Sequence, residues 1–360
     1  MENKVYEIIK EAELLREAAQ YKEGLKLVRK AALLSRKSHD LQGLIDSTVA
    51  SADIYRMIGD FDHAVENYEE ALEACEAMGD VMTAADSMVG MGLSLRAMGL
   101  WKEAVRFIRA AQKTYTKEED KKGTAFSLWA EAGAWRVAGD IQKAIETFDQ
   151  ARELFTSLRF KPGRAYALCG LGGTHRIAGK FKESLKYYKE ANKLFTGLND
   201  TFGIAYSHCG IGNANRMLGD FAKAIEHFSD ATRLYAEIGD IVSYSYTLWS
   251  LATLHSVQGE LELAREYTDK AMKNFRKTKD PRGIIYCNLT LAQVEFLAGK
   301  KAKAVRLATA ALESAEGHQF KLERCHCRTM LSLMTGERKP SCYKGLGVSL
   351  DFRELPLNIP

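Results

Sequence analysis

A forty-residue interval runs through almost the whole chain and restricts what it can fold into. Gly59, Gly99, Gly139, Gly179, Gly219, Gly259 and Gly299 share one phase, and Arg56, Arg96, Arg136, Arg176 and Arg216 each stand three residues earlier. Ala64, Ala104, Ala144, Ala224, Ala264 and Ala304 follow, then Ala71 and its copies through Ala311. The octapeptides Cys169–Arg176 and Cys209–Arg216 are the clearest pair of copies. A fixed period of this length predicts stacked supersecondary units, each unable to bury its apolar face alone. It overrides the two or three globular domains that 360 residues would otherwise imply.

Within each copy the apolar residues recur at three- and four-residue spacing, which is helical. Asp40, Asp80, Asp120, Asp200, Asp240 and Asp280 recur where a helix should begin, as a side chain that accepts from unpaired backbone donors. Phe160 breaks that series, with Pro162 opening the helix instead. The phased glycine ends the first helix, and an aromatic or large apolar residue opens the second. The expected fold is an all-α solenoid of antiparallel helix pairs. It divides into an N-terminal capping repeat at 1–38 with Ala19 in place of the glycine, seven repeats at 41–318, a closing helix at 319–335 and an extended tail at 336–360.

The balance of 51 basic against 47 acidic residues, a net charge of +4, argues against a nucleic-acid binder. No apolar run reaches the length of a membrane span, and the segment Met1–Glu7 has charge where a signal peptide needs an apolar core. Seven cysteines, mostly in apolar helical context, read as reduced thiols of a cytoplasmic protein.

The pattern Leu168-x-x-Leu171-Gly172-x-x-His175, then Gly179-Lys180-Phe181-x-x-Ser184 and Tyr188-x-x-Ala191, resembles the tetratricopeptide repeat. With Asp200-x-x-Gly203-x-Ala205 at this spacing it is similar to the longer subtype of kinesin light chains, Pins-type polarity adaptors and bacterial peptide-sensing Rap regulators. The resemblance covers about residues 5–318. It implies a right-handed superhelix whose concave groove is lined by the first helix of each pair and receives peptides or partner proteins, with no catalytic residues to carry over. Glu131 stands at a usually apolar position, and Gln112, Arg152, Asn192 and Thr232 weaken the second-helix consensus.

Tyr166, Cys169, Gly173 and Arg176 share one helix face, and the resemblance turns that face to the groove. In the first three copies the stripe carries its own acid, Glu13, Asp53 or Asp86, so Arg16, Arg56 and Arg96 read as neutralised. Arg136, Arg176 and Arg216 have no acid on the stripe. They are expected to face a groove walled by Phe126, Trp129, Tyr166, Tyr206, Tyr246 and Trp249, where guanidinium groups beside aromatic faces suit carboxylates and peptide backbones. Gly133 and Gly173 would leave room for a ligand, and Asn213 lies on the same stripe. The competing reading makes the arginines a packing ladder at the negative ends of the first helices.

The expected partner is an extended, acidic peptide or protein segment, with no nucleic acid and no membrane. One alternative is a sensor of a small anionic metabolite or signalling peptide in a central pocket. Another is self-occupation by the tail at 350–360, as an autoinhibitor or in a dimer, through Asp351, Glu354 and a free carboxylate beside Phe352, Leu355 and Leu357. No cofactor, metal or catalytic activity is expected. Cys325-His326-Cys327 with Cys342 and His318 is poorly spaced for zinc, because adjacent helical residues diverge. His175, His208 and His255 read as packed or capping, each without a second ligand at helical spacing.

Overall fold

A computed structural model describes residues 2–18, 20–337 and 342–360. Ala19 lies outside the described residues, as do residues 338–341 of the tail. The helices in chain order are α1 (Glu2–Glu17), α2 (Tyr21–Ser38), α3 (Leu41–Met57), α4 (Phe61–Met78), α5 (Val81–Ala97), α6 (Trp101–Lys117), α7 (Lys121–Ala138), α8 (Ile141–Ser157) and α9 (Lys161–Ile177). They continue as α10 (Phe181–Leu198), α11 (Thr201–Met217), α12 (Phe221–Ile238), α13 (Ile241–Val257), α14 (Leu261–Lys277), α15 (Pro281–Leu297), α16 (Lys301–Gly317) and α17 (Lys321–Thr335). No strand occurs among the described residues, and no described helix is long and apolar enough to cross a membrane. Within each unit consecutive helices pack into pairs and the pairs stack, and the fold is an all-α solenoid.

The punctuation of the sequence is a set of backbone requirements. All seven phased glycines adopt φ between 78° and 84°, the left-handed stop that a side chain resists. Asp40, Asp80, Asp120, Asp200 and Asp280 each accept a hydrogen bond from the backbone N–H three residues on, at 2.8–3.0 Å. Each such cap contributes about 1 kcal/mol. The small residues are the contact points: Ala64, Ala104, Ala144, Ser184 and Ala224 are 0% exposed, as are Ala71, Ala111, Ala151, Ala191 and Ala231. Gly170 and Gly210 let neighbouring helices close further, because a Cβ there would overlap the rings of Phe148 and Tyr188.

The chain forms two compact units. Unit 1 comprises Met1–Glu131 with Glu237–Asp240, and unit 2 comprises Ala132–Ala236 with Ile241–Pro360. In unit 1, Glu131 stands at its usually apolar position because it pairs with Arg109 at 2.9 Å. In unit 2, α17 reaches back to the start of α8, where Lys321 pairs with Asp140 at 2.6 Å. The tail then continues along the same unit.

Candidate functional site

The arginine at the end of each first helix meets different surroundings in different copies. In unit 1, Arg56 donates to Asp53 at 3.2 Å and to the Tyr68 hydroxyl at 3.4 Å, and that hydroxyl donates to Asp53 at 2.6 Å. Burial alone would lower the Arg56 pKa, but Tyr68 and Asp53 outweigh it and hold the pKa above its ordinary value. In the next copy Asp86 accepts from Tyr115 instead, at 2.6 Å, and the Arg96 guanidinium lies 6.0 Å from the Trp129 ring.

In unit 2, glycine or asparagine replaces that acid. Arg136 lies over Phe148 at 5.7 Å, and its Nη1 occupies the space above Gly173, 2.8 Å from where a Cβ would stand. The glycine therefore makes room for a neighbouring guanidinium as well as for the Tyr188 hydroxyl. Arg176 has Nε and Nη1 buried without a partner. Arg216 is 0% exposed, and its side-chain partners are Asn213 at 3.1 Å and two tail residues. Burial, then the nearby Arg176 charge, lower its pKa to about 9, so it remains cationic at neutral pH.

The aromatic residues have different surroundings. Tyr166 and Tyr246 act between repeats: their hydroxyls donate to Asp200 and Asp280 at 2.9 and 2.8 Å, the same aspartates that cap the next first helix. Trp249 is 4% exposed, donating to Thr290 at 3.1 Å and stacking near Tyr286 at 4.5 Å. Tyr206 is half-buried beside Phe202. Trp129 lies in unit 1, stacked on Phe126 at 5.5 Å. Gly133 is buried in α7.

The tail lies against unit 2 at three points. Tyr343 and Val348 join Ile141, Ile177, Ala178, Leu322 and Cys325 in one apolar cluster, and Ser349 N–H donates to the Ala178 carbonyl at 3.0 Å. Gln293 accepts from the Leu357 N–H. Arg216 donates to the Asn358 side chain and, at 2.8 Å, to the Ile359 carbonyl, while Asn358 donates to the Arg216 carbonyl at 3.3 Å. Leu357 and Ile359 are buried. The acids expected to mediate such a contact lie elsewhere: Asp351 pairs with Arg353 at 2.8 Å, and Glu354 is exposed.

Two further features depart from the sequence reading. Cys325 and Cys342 form a disulfide that ties α17 to the start of the tail, so the seven cysteines are not all thiols. The neighbouring His326 is buried and hydrogen-bonds the Tyr343 hydroxyl at 2.8 Å. His208 has partners from the adjoining helix, His227 and Asp230, which helical spacing along its own helix could not reveal.

The family described as the MalT-like TPR region matches residues 139–339, more than half of the chain, and a tetratricopeptide-repeat family matches residues 8–77. No curated protein matches. Among solved structures, the Rap conjugation gene regulator of the plasmid pLS20, in complex with the Phr* peptide, is 12% identical with a TM-score of 0.67, covering 88% of this chain and 96% of that one. A Rap protein complexed with competence and sporulation factor is 14% identical with a TM-score of 0.59, covering 93% and 98%. The apo form of RapI is 13% identical with a TM-score of 0.56, covering 75% and 96%. At these identities the likeness is one of fold, and it agrees with the helix pairs, glycine stops and alanine contacts described above. The chain belongs to the tetratricopeptide-repeat family, in its MalT-like branch.

Proposed function

We propose that unit 2 is a peptide-recognition groove in which the chain's own tail takes the place of a partner segment, so that the partner binds by displacing the tail. The observation that carries this reading is the pairing of tail main chain with groove side chains: Ile359 carbonyl with Arg216, and Leu357 N–H with Gln293. Main-chain pairing with alternate side chains buried is a usual way to hold an extended segment. Leu357 and Ile359 meet that description. The partner segment would be extended, with a carboxylate for the guanidinium edge of Arg176 that has no partner. Two Rap structures of this fold are complexes, one with the Phr* peptide and one with competence and sporulation factor, which supports the reading. The role is binding, not catalysis. Burial pushes the thiols of Cys169 and Cys209 up, opposite to the activation a nucleophile needs.

The test removes residues 353–360 and leaves the Tyr343 and Val348 anchor in place. A tethered tail competes at an effective concentration on the order of millimolar. A labelled peptide of sequence 350–360 is therefore expected to bind the shortened protein by fluorescence anisotropy, and the full chain at least tenfold more weakly. Arg176→Glu with Arg216→Glu should abolish binding with helicity retained. Equal binding to both chain lengths, or none to the shortened one, rejects the proposal.

A further inference from the structure

Unit 2 also holds a cluster that the groove does not use. His208 lies on α11, and His227 and Asp230 lie one turn apart on α12, so all three side chains meet between the two helices of one repeat. The Nδ1 atoms of the two histidines are 2.8 Å apart, and His208 Nδ1 is 3.7 Å from an Asp230 carboxylate oxygen. All three donor atoms lie within 4.8 Å of one another, and all three residues are half-buried. We infer that His208, His227 and Asp230 form a binding site for a zinc-class divalent transition metal ion.

Geometry supports the assignment first. Zinc–nitrogen and zinc–oxygen bonds of about 2.0–2.2 Å at tetrahedral angles set donors roughly 3.3 Å apart. The observed separations of 2.8 and 3.7 Å bracket that value. Small side-chain rotations would bring the donors to it. Donor chemistry agrees: two imidazoles and one carboxylate suit zinc, cobalt, nickel or copper and disfavour calcium or magnesium.

Protonation agrees as well. Burial lowers the pKa of both histidines, and for His208 the neighbouring His227 lowers it further. Neutral imidazoles offer the lone pairs that a metal needs. Without an ion, one Nδ1 must donate its proton to the other, an arrangement that an ion between them would replace. Asp230 also has a loose contact with Arg233 at 3.6 Å. Arg233 is more than half exposed there, so a metal ion can displace it. Three protein ligands leave a fourth position for water or for a ligand from a partner.

The repeat isolates the feature. The positions forty residues before these three hold Leu168, Tyr187 and Glu190, and those forty after hold Leu248, Tyr267 and Lys270. Neither neighbouring copy has a histidine at either place, so the pair is not a requirement of the packing.

The test uses the full chain without a histidine tag. Zinc titrated by calorimetry is expected to bind at one ion per chain. Cobalt should give the visible absorption of a tetrahedral nitrogen–oxygen site, without the sulfur charge-transfer band that a cysteine site would show. His208→Ala and His227→Gln should each weaken zinc binding by a hundredfold or more, since a ligand is worth more than the roughly 10–100-fold of a supporting hydrogen bond. Zinc should also protect His208 and His227 of the unaltered chain from diethylpyrocarbonate, read by mass spectrometry, which needs no variant to fold. The inference is overturned if micromolar zinc neither binds nor protects. It is equally overturned if folded His208→Ala/His227→Gln protein binds zinc as the unaltered chain does.

Discussion

The same arginine position has opposite fates in the two units. Arg56 in unit 1 has an acid three residues earlier, and Asp53, Tyr68 and Arg56 close a small hydrogen-bonded set. Arg216 in unit 2 has Asn213 at the corresponding place, lies fully buried and turns to tail acceptors. Arg176 has Gly173 there and keeps two buried nitrogens without partners. The forty-residue pattern thus specifies a backbone task that every copy performs. For Arg56, Arg176 and Arg216, the side chain three residues earlier sets whether the cation meets an acid of its own copy or keeps capacity for a different acceptor.

The largest effect separating the units should come from their histidines. His63 in unit 1 is exposed, and its hydrogen bond to Asp60 raises its pKa, so its contribution is fully present below pH 6.5 and fades as pH rises. His326 in unit 2 is buried, and desolvation lowers its pKa from 6.5 to about 4, with Glu323 opposing the shift and Arg282 adding to it. The unfolded chain then takes up a proton below pH 6.5 that the folded state refuses until about pH 4, so stability is lost as pH falls through that window. At about 1.4 kcal/mol per pKa unit the full loss is about 3 kcal/mol. Hydrogen exchange corrected for intrinsic rate should show α17 and the tail weakening in acid. His326→Phe should remove that slope, and its persistence would separate the tail anchor from His326.

A smaller effect is expected from exchanging the decisive side chain between units. Asp53→Asn leaves the half-buried Arg56 without its acid and should cost about 1 kcal/mol in urea unfolding, reduced from the fully buried case because both side chains are partly solvated. Asn213→Asp gives Arg216 the acid that unit 1 has. The charged hydrogen bond should add more than is lost when the Asn213 donor to the Cys209 carbonyl disappears, for a net gain of about 1 kcal/mol. The same variant should loosen the tail, seen as faster exchange at residues 357–359. If both substitutions destabilise equally, the acid at that place is not what distinguishes the units.

What could be read from sequence follows from locality. Glycine stops and aspartate caps answer demands within one turn of backbone, so each copy states them in residue type, and φ near 80° at Gly59 through Gly299 is the result. The residue two places before each first helix from α3 onward, and before α17, is also left-handed, yet only Gly79 and Gly239 announce it, while His39, Glu119, Arg159, Asn199, Lys279 and Gln319 share no chemistry that would. Arg56 with Asp53 was legible because helical spacing makes them neighbours. Arg216 with Ile359 was not: the partners stand 143 residues apart, and a main-chain carbonyl carries no sequence signal. Tyr166 and Asp200 were each visible as recurring residues, but only the stacking of repeats reveals that one donates to the other.

The smallest effect tests the hydroxyl at the shared aromatic position of the second helices. Tyr68 and Tyr188 occupy the same phase, and each ring covers a glycine of the next first helix, Gly90 and Gly210. Tyr68 donates its hydroxyl to Asp53 and accepts from Arg56. Tyr188 has Arg136 and Arg176 as its charged neighbours, with no carboxylate among the groups that set its pKa. Tyr68→Phe therefore removes a donor from a carboxylate and should cost about 1 kcal/mol, while the ring continues to fill its place. Tyr188→Phe keeps the same ring and loses no bond to an anion, so it should cost less than about 0.5 kcal/mol. Urea midpoints of the two variants decide the point. A larger cost for Tyr188→Phe would mean that its hydroxyl holds the unit 2 arginines in place, as Asp53 holds Arg56 in unit 1.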